Sequence, residues 1–353
     1  MDSVLIKEWL LARRRKREAI AIEPDPGPDY APFSTVNGRD YEQYKAQIAD
    51  NYRDYSNGFA YYEALVEPLA IERSVDIVPL YVMAQKPATE RPLISLRHDV
   101  DADPDTGLRL ARHLARIGLP ASFYLLHSAN YYGEFFGEVF VRNPAVVNWI
   151  RAYVVTGAEI GLHNDALGMF NTHGIDPCVV LQTELAWLRA NGAVVRGTVA
   201  HNSIVVQGAE NYEMFADHVL WPREIVNREG LAIPLGLAQQ ADFGLDYEGT
   251  FAAPHAAPDI QAASAFAGNI EQADIRSRQW MQLYLSSNPC CQWDIDYQIW
   301  LLGPDQWVIA GGESRRDVFE WDVDLQSVVQ FVRELPASSR TSIVLHPEYF
   351  GDY

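Results

Sequence analysis

At 353 residues, with 48% hydrophobic and 12% aromatic content, the chain has the composition of a folded protein. It is long enough for one (β/α) barrel of about 250 residues plus an extension, or for two domains. Its 47 acidic against 28 basic residues leave a formal charge of −19, a field that repels nucleic acid and anionic membranes and excludes both as general partners.

Between Met1 and Ala21 a short apolar stretch, Val4 to Leu11, precedes the basic run Arg13-Arg14-Arg15-Lys16-Arg17. A secretory signal has the reverse order, so a cytoplasmic location is expected. No apolar run reaches the 18 residues that a transmembrane helix requires. The three cysteines, Cys178, Cys290 and Cys291, form neither a disulfide framework nor a zinc-knuckle spacing and read as reduced thiols. Residues 22–38 are a Pro-rich connector, and a Tyr- and Ala-rich helical pattern runs from Asp40 to about Glu72. Residues 1–90 are accordingly expected to be an N-terminal helical extension on a main domain of residues 91–353, with a surface for homo-oligomer contact.

The main domain opens on an extended run from Pro92 that ends in Arg97-His98-Asp99-Val100-Asp101. A strand interior tolerates such a crowd poorly, because each buried charge needs a partner or a metal. The C-terminal end of a parallel strand tolerates it well. A solvated acidic turn is the plain alternative. Asp103-Pro104-Asp105 then signals a helix start, Thr106 to Ile117 carries an apolar face, Gly118 stops it, and Ala121 to Leu126 is a second buried strand. A strand–helix–strand unit of this kind crosses over right-handed into a parallel pair.

The alternation of strands and helices continues. His127-Ser128-Ala129-Asn130-Tyr131-Tyr132 is a polar and aromatic loop on the strand-end side, with His127, Asn130 and Tyr131 as substrate-contact residues. Pro144 to Thr156 is a helix, and Ala158 to His163 a third strand ending in Asn164-Asp165. After a helix from Thr183 to Asn191, Val194 to Val199 is a fourth strand that finishes in Ala200-His201-Asn202. His201 is either a hydrogen-bonded structural histidine or a ligand, and Asn164 and Asn202 lie where they can touch substrate. A fifth strand is expected near 217–221. Loops follow at 242–268, in which His255 reads as a loop residue without a role. Strands are expected at 291–301 and 307–310, a helix at 322–335, and a last strand at 342–345 that closes in His346.

Arg97-His98-Asp99-Val100-Asp101, the following helix, and Gly118-Leu119-Pro120-Ala121-Ser122-Phe123-Tyr124 resemble the first motif of the NodB-homology polysaccharide deacetylases. Glu159-Ile160-Gly161-Leu162-His163 is similar to that family's E-I-G-x-H segment, and the strand ending in His346 to its final motif. The likeness covers residues 93–201 and 341–349. It implies an α/β fold, a distorted barrel of seven or eight strands. It also implies a metal-dependent hydrolase that removes an N-acyl group, acetyl foremost, from a sugar or glycoside-like small molecule or glycan. In the family one Asp is the catalytic base and the next a metal ligand. The resemblance assigns these to Asp99 and Asp101, with a swap of the two open. His163 is then a second ligand and His346 the proton donor, the one side chain that titrates near neutral pH unaided.

One departure matters. The family keeps a second histidine four residues after the first, and here that position is Leu167. His201, at the end of the next strand, is the expected replacement, and Asp165 is its rival. Arg97 is expected to orient Asp99, and His98 is an additional ligand or an inward-facing residue. The metal implied is zinc, with cobalt, nickel, manganese or iron as alternatives. Two other functions stay open: a C–N hydrolase acting on a non-sugar amide, and a non-catalytic relative that binds a glycan or a partner.

Overall fold

The computed structural model describes residues 35–36, 39–85, 89–136, 139–201, 209–219, 224–227, 230–250, 252–254, 291–293, 295–312 and 318–353. The basic run at 13–17, Asn202, the end of the expected strand at 217–221, His255 and Cys290 lie outside them.

The chain folds as an α/β protein around one mostly parallel sheet. Its strands are β1 (Asp76–Ile77), β2 (Leu93–Val100), β3 (Ser122–Leu126), β4 (Glu159–Asn164), β5 (Gly197–Ala200), β6 (Tyr247–Glu248), β7 (Tyr297–Gly303), β8 (Gln306–Gly311), β9 (Val318–Val323) and β10 (Arg340–Leu345). The order across the sheet is β6-β5-β4-β3-β2-β10-β7-β8-β9, with β1 beside β2. All neighbours from β6 to β7 are parallel, and β8 and β9 add an antiparallel edge. Along one side of β2, β1 pairs with Leu93 and Ile94 and β3 with Arg97 to Val100, while β10 pairs with Leu93 to His98 on the other side. Among the described residues no pairing joins β6 to β9, so the sheet path is open.

The helices are α1 (Tyr41–Tyr52), α2 (Phe59–Ile71), α3 (Leu80–Ala84), α4 (Pro104–Arg116), α5 (Val146–Thr156), α6 (Ala166–His173), α7 (Pro177–Ala190) and α8 (Leu325–Arg333). Their starts follow from local chemistry. Asp103 accepts a hydrogen bond from the Thr106 amide at 2.9 Å ahead of Pro104, and Asp176 does the same for Cys178 and Val179 ahead of Pro177. The outer face of the sheet and the helices share one core that includes Leu65, Leu96, Leu110, Phe123, Trp149, Ile160 and Leu185. Tyr62, Leu65, Val66 and Leu69 of α2 belong to that same core.

The opposite face of the sheet is lined differently. Tyr124, Val199 and Tyr247 pack there with Leu80, Val82 and Met83 of α3. The first amides of α3 dock on the N-terminal ends of β3 and β4: Leu80 N–H donates to Ser122 Oγ at 2.8 Å and Tyr81 N–H to Glu159 Oε2 at 3.1 Å. Two glycines make room for the tyrosines. A Cβ on Gly161 would sit 2.3 Å from the Tyr124 ring, and one on Gly197 would sit 2.1 Å from the Tyr247 ring. With α3 covering the N-terminal ends, the C-terminal ends of the strands are the accessible rim.

Several expected boundaries are corrected. The stretch expected as a strand at 217–221 contains a 3-10 turn at Ala216–His218, and β6 takes the sheet edge instead. The strand expected at 291–301 is two: Cys291–Trp293 pairs antiparallel with Ala252–Pro254, and β7 begins at Tyr297. The fourth strand starts at Gly197, not Val194. β9 occupies residues whose alternating Val318-Phe319-Glu320-Trp321 went unread, so α8 is shorter than the helix expected at 322–335. A hairpin, Gly133–Phe136 with Val139–Arg142, follows the second strand.

Candidate metal centre

Side chains alternate along a strand, and that period sorts the crowded end of β2. Arg97 and Asp99 point to the inner face, followed on the same side by Asp101. His98 points the other way. Its Nε2 lies 2.8 Å from the Tyr62 hydroxyl and its ring stacks on Phe123 at 4.2 Å. Burial pushes the His98 imidazole down to about 3, so it is a neutral core residue away from the rim. The reading of His98 as a further ligand is therefore corrected.

Arg97 and Asp99 form a buried bidentate pair, Nε to Oδ1 at 2.8 Å and Nη2 to Oδ2 at 2.6 Å. Burial disfavours the carboxylate, yet Arg97 and then His163 outweigh that cost and hold Asp99 below its ordinary value. Asp99 is thus ionised and fixed in direction.

Three strand ends meet beyond it. Asp101 follows β2, His163 is the penultimate residue of β4, and His201 follows β5; one ligand atom from each lies within 4.8 Å of the other two. The His163 tautomer is set by its surroundings. Its Nδ1 is 3.0 Å from the Val199 carbonyl, which can only accept, so Nδ1 carries the hydrogen. His163 Nε2 then faces Asp101 Oδ1 at 3.3 Å, and that buried oxygen has no other partner among the described residues. A ring nitrogen and a carboxylate oxygen this close share a positive charge, either a proton or a metal ion. Two imidazoles and one carboxylate match the donor set of an open zinc-type site.

The charges around this set keep Asp101 ionised and favour a proton on His201. Burial works against the Asp101 carboxylate, but His163, His346 and His201 overcome it and hold the group well below the usual range. Burial likewise opposes charging His201, while Asp165, Asp101 and Asp99 override it and raise the imidazole to about 9. A metal ion held here would take the place of a proton on His201.

Asp165 stands behind His201, with Oδ2 3.7 Å from Nδ1. Ser128 donates to that Oδ2 at 2.7 Å and Asn211 to Oδ1 at 3.0 Å. A carboxylate on the far nitrogen of a ligating histidine orients the ring. Asn211 was missed by sequence reasoning. It also accepts from the Leu167 amide at 2.8 Å and donates to the His201 carbonyl at 2.7 Å, tying the ends of β4 and β5 together. An isolated Asn in a loop gives no periodic signal that could have found it.

Leu167 lies in the first turn of α6 and is fully buried. The position four residues after His163 therefore belongs to the core, and His201 at the end of the neighbouring strand lies beside Asp101 and His163. His346, after β10, completes the rim: its Nε2 is 3.7 Å from Asp101 Oδ2. Burial lowers its affinity for a proton, partly countered by Asp101 and Asp99.

The expected substrate contacts divide. Asn130 is exposed beside the site. His127 is buried, and its Nε2 accepts the Asp165 amide at 2.9 Å. The buried Tyr131 hydroxyl donates to the Val100 carbonyl at 2.8 Å and accepts the Leu126 amide at 3.0 Å. Asn164 is buried, donating to the Asn211 carbonyl and accepting the Ala166 amide. These three are corrected to supports of the loops that carry the ligands: unpaired backbone groups near the rim need partners, and these side chains supply them.

Among the described residues a second grouping, Glu63, Glu67 and His113, lies between α2 and α4. It sits on the helical face, with Glu63 already 4.0 Å from Arg116.

The class defined by fold and site is an α/β protein with an Asp–His cluster at the C-terminal rim of a parallel sheet. Comparison with family models, with curated proteins and with solved structures finds no match. No helix among the described residues is long and apolar enough to cross a membrane.

Proposed function

We propose that the chain is a metal-dependent hydrolase that removes an N-acyl group, acetyl foremost, from a sugar or glycoside-like substrate, on a distorted barrel of the NodB-homology type. The observation that carries this reading is the convergence of Asp101, His163 and His201 beside Asp99 and His346, with His163 Nε2 facing Asp101 Oδ1 at 3.3 Å. A divalent ion in this set supplies a Lewis acid that polarises an acyl carbonyl and acidifies a water molecule. Asp101, His163 and His201 would hold it, and zinc suits their donor types, with cobalt, nickel, manganese or iron as alternatives.

The remaining roles fall to the chain's own groups. Asp99, held ionised and aimed by Arg97, takes the proton from the attacking water. His346 delivers a proton to the departing amine; its burial weakens its hold on that proton and so makes the charged ring a readier donor. Asp165 orients His201. The setting proposed is cytoplasmic, and residues 1–90 are the proposed surface for any homo-oligomer.

The test uses the purified full chain, titrated with a divalent metal series and assayed for acetate release from N-acetylated amino sugars. Zinc binding with acetate release is expected. His201→Ala should lose the metal, and Asp165→Ala should weaken it by about 10–100-fold. Full zinc affinity in His201→Ala with loss in Asp165→Ala would make Asp165 the third ligand. Zinc binding with cleavage of simple amides alone would favour a C–N hydrolase on a non-sugar substrate. Neither metal binding nor turnover would leave a glycan- or partner-binding protein.

A further inference from the structure

Below the Arg97–Asp99 pair the inner face of the sheet carries side chains that the proposed chemistry does not use. Side chains alternate along β2, so Ser95 shares the inner face with Arg97 and Asp99, while Ile94, Leu96 and Val100 join the core of the outer face. The same alternation holds in the two strands beyond it. Ile343 and Leu345 of β10 and Ile299 and Leu301 of β7 lie in that outer core, which turns Ser342 and Gln298 inward.

Register then sets these three in one row. Gln298 pairs with Ser342, and Ser342 with Ser95, across β7, β10 and β2. Arg97 is the next inner-face residue above Ser95, with Val344 in register beside it, and Leu93 is the one below. The row is buried: Ser95 and Ser342 are 0% exposed and Gln298 is 6% exposed. Yet Ser95 Oγ, Ser342 Oγ and Gln298 Oε1 have no hydrogen-bond partner among the described residues. Ser122 of β3 differs, since it accepts the Leu80 amide at 2.8 Å and donates to Glu159 at 2.6 Å. A buried polar atom left alone costs as much as a lost hydrogen bond, and native proteins leave few of them. Three in register point to a shared partner.

The spacing suits water. Neighbouring strands lie about 4.8 Å apart, too far for one side-chain oxygen to bond the next, whereas one water molecule about 2.8 Å from each spans the gap. A buried water needs two to four polar partners. The row offers three, and Arg97 adds donors, because Asp99 takes only two of its five N–H groups. Serines between the larger Leu93, Arg97 and Val344 leave room for it. A cation suits the row poorly: it holds no carboxylate, and a guanidinium stands directly above. We propose that the row Gln298–Ser342–Ser95 is a binding site for ordered water, which bridges the three side chains and accepts from Arg97. Held by this water on one side and by Asp99 on the other, the guanidinium is fixed in direction, and the row helps to aim Asp99. That service rests on the metal-dependent reading above; the water site does not.

Oxygen-17 relaxation dispersion of solvent water counts the molecules that stay bound for longer than the protein takes to tumble. On the full chain, Ser342→Val and Gln298→Leu should each hold at least one such water fewer than wild type; if one of them fails to fold, the other supplies the count. Ser95→Ala and Ser342→Ala read the sign in urea melts. Removing a hydroxyl that water satisfies should lower the midpoint, whereas removing an unpartnered one should raise it. The inference is overturned if the folded variants keep the wild-type water count, or if the alanine variants melt at or above the wild-type midpoint. Zinc affinity is read on the same samples. A chain that binds zinc with an unchanged water count loses the row and keeps the metal reading, and one whose variants lose the water while no form binds zinc does the reverse.

Discussion

Replacing Arg97 by leucine isolates the pair that sets Asp99. Both partners are buried, the arginine 5% and the aspartate 2% exposed, and two hydrogen bonds of 2.8 and 2.6 Å join them. Removing the guanidinium leaves a buried carboxylate without its partner. Breaking a buried pair in this way costs about 3–5 kcal/mol, a large share of the roughly 5–15 kcal/mol that stabilises a typical native protein. Urea denaturation of Arg97→Leu, Asp99→Leu and the double variant should show a single-variant loss of that size and a substantially smaller loss in the double, where no charge is left unpaired. The sign of the pH dependence is also defined. Asp99 is depressed in the folded protein, so its contribution is present above the unfolded pKa and is lost as pH falls through the folded value. In Arg97→Leu, burial without the partner raises the carboxyl, and protonation relieves the penalty. The difference between wild type and Arg97→Leu should therefore shrink from pH 7 to pH 4. A loss below about 1 kcal/mol, or a double variant no better than the single, would refute the argument that this pair compensates a buried charge.

Three further outcomes follow from the same geometry. His346→Ala should lower turnover by about 100-fold or more while metal content, measured by elemental analysis, stays intact; loss of the metal would make His346 a ligand. Leu167→His should not add a ligand: residue 167 is fully buried in α6, and a polar ring there should destabilise the chain by about 2–5 kcal/mol in denaturant melts, with no gain in zinc affinity. In metal-free protein the folded His201 is raised to about 9 from an ordinary value of about 6.5. Its stabilising contribution, at most about 3–4 kcal/mol, is complete below the ordinary value and is lost as pH rises through about 9. The stability difference between wild type and His201→Ala in chelator should thus be larger at pH 6 than at pH 9.5, and a pH-independent difference would disprove the charged His201.

Local sequence determined a good deal of this protein. The Asp103-Pro104 start, the apolar face of Thr106 to Ile117 and the Gly118 stop act over a few residues, so the parallel strand–helix units and the strand ends bearing Asp101, His163 and His201 are legible from the chain alone. The helix expected from Thr183, by contrast, begins at Pro177 behind its Asp176 cap. What sequence could not decide depends on contacts across long separations. His127, Tyr131 and Asn164 have the composition of a binding loop, yet each serves a backbone amide or carbonyl of a neighbouring strand end. Leu167 reads as a missing ligand, and only the packing of α6 shows that its position is inside the core. The edge strand β6 has two residues and no period to detect; its place follows from Tyr247 filling the space above Gly197. The proton on His163 is assigned by a carbonyl 36 residues away, and the charge on His201 by carboxylates from β2 and the β4–α6 turn. Periodicity and capping are local and survive in one dimension. Burial, tautomer and charge state are properties of a surrounding volume, and that volume exists only once the strands are side by side.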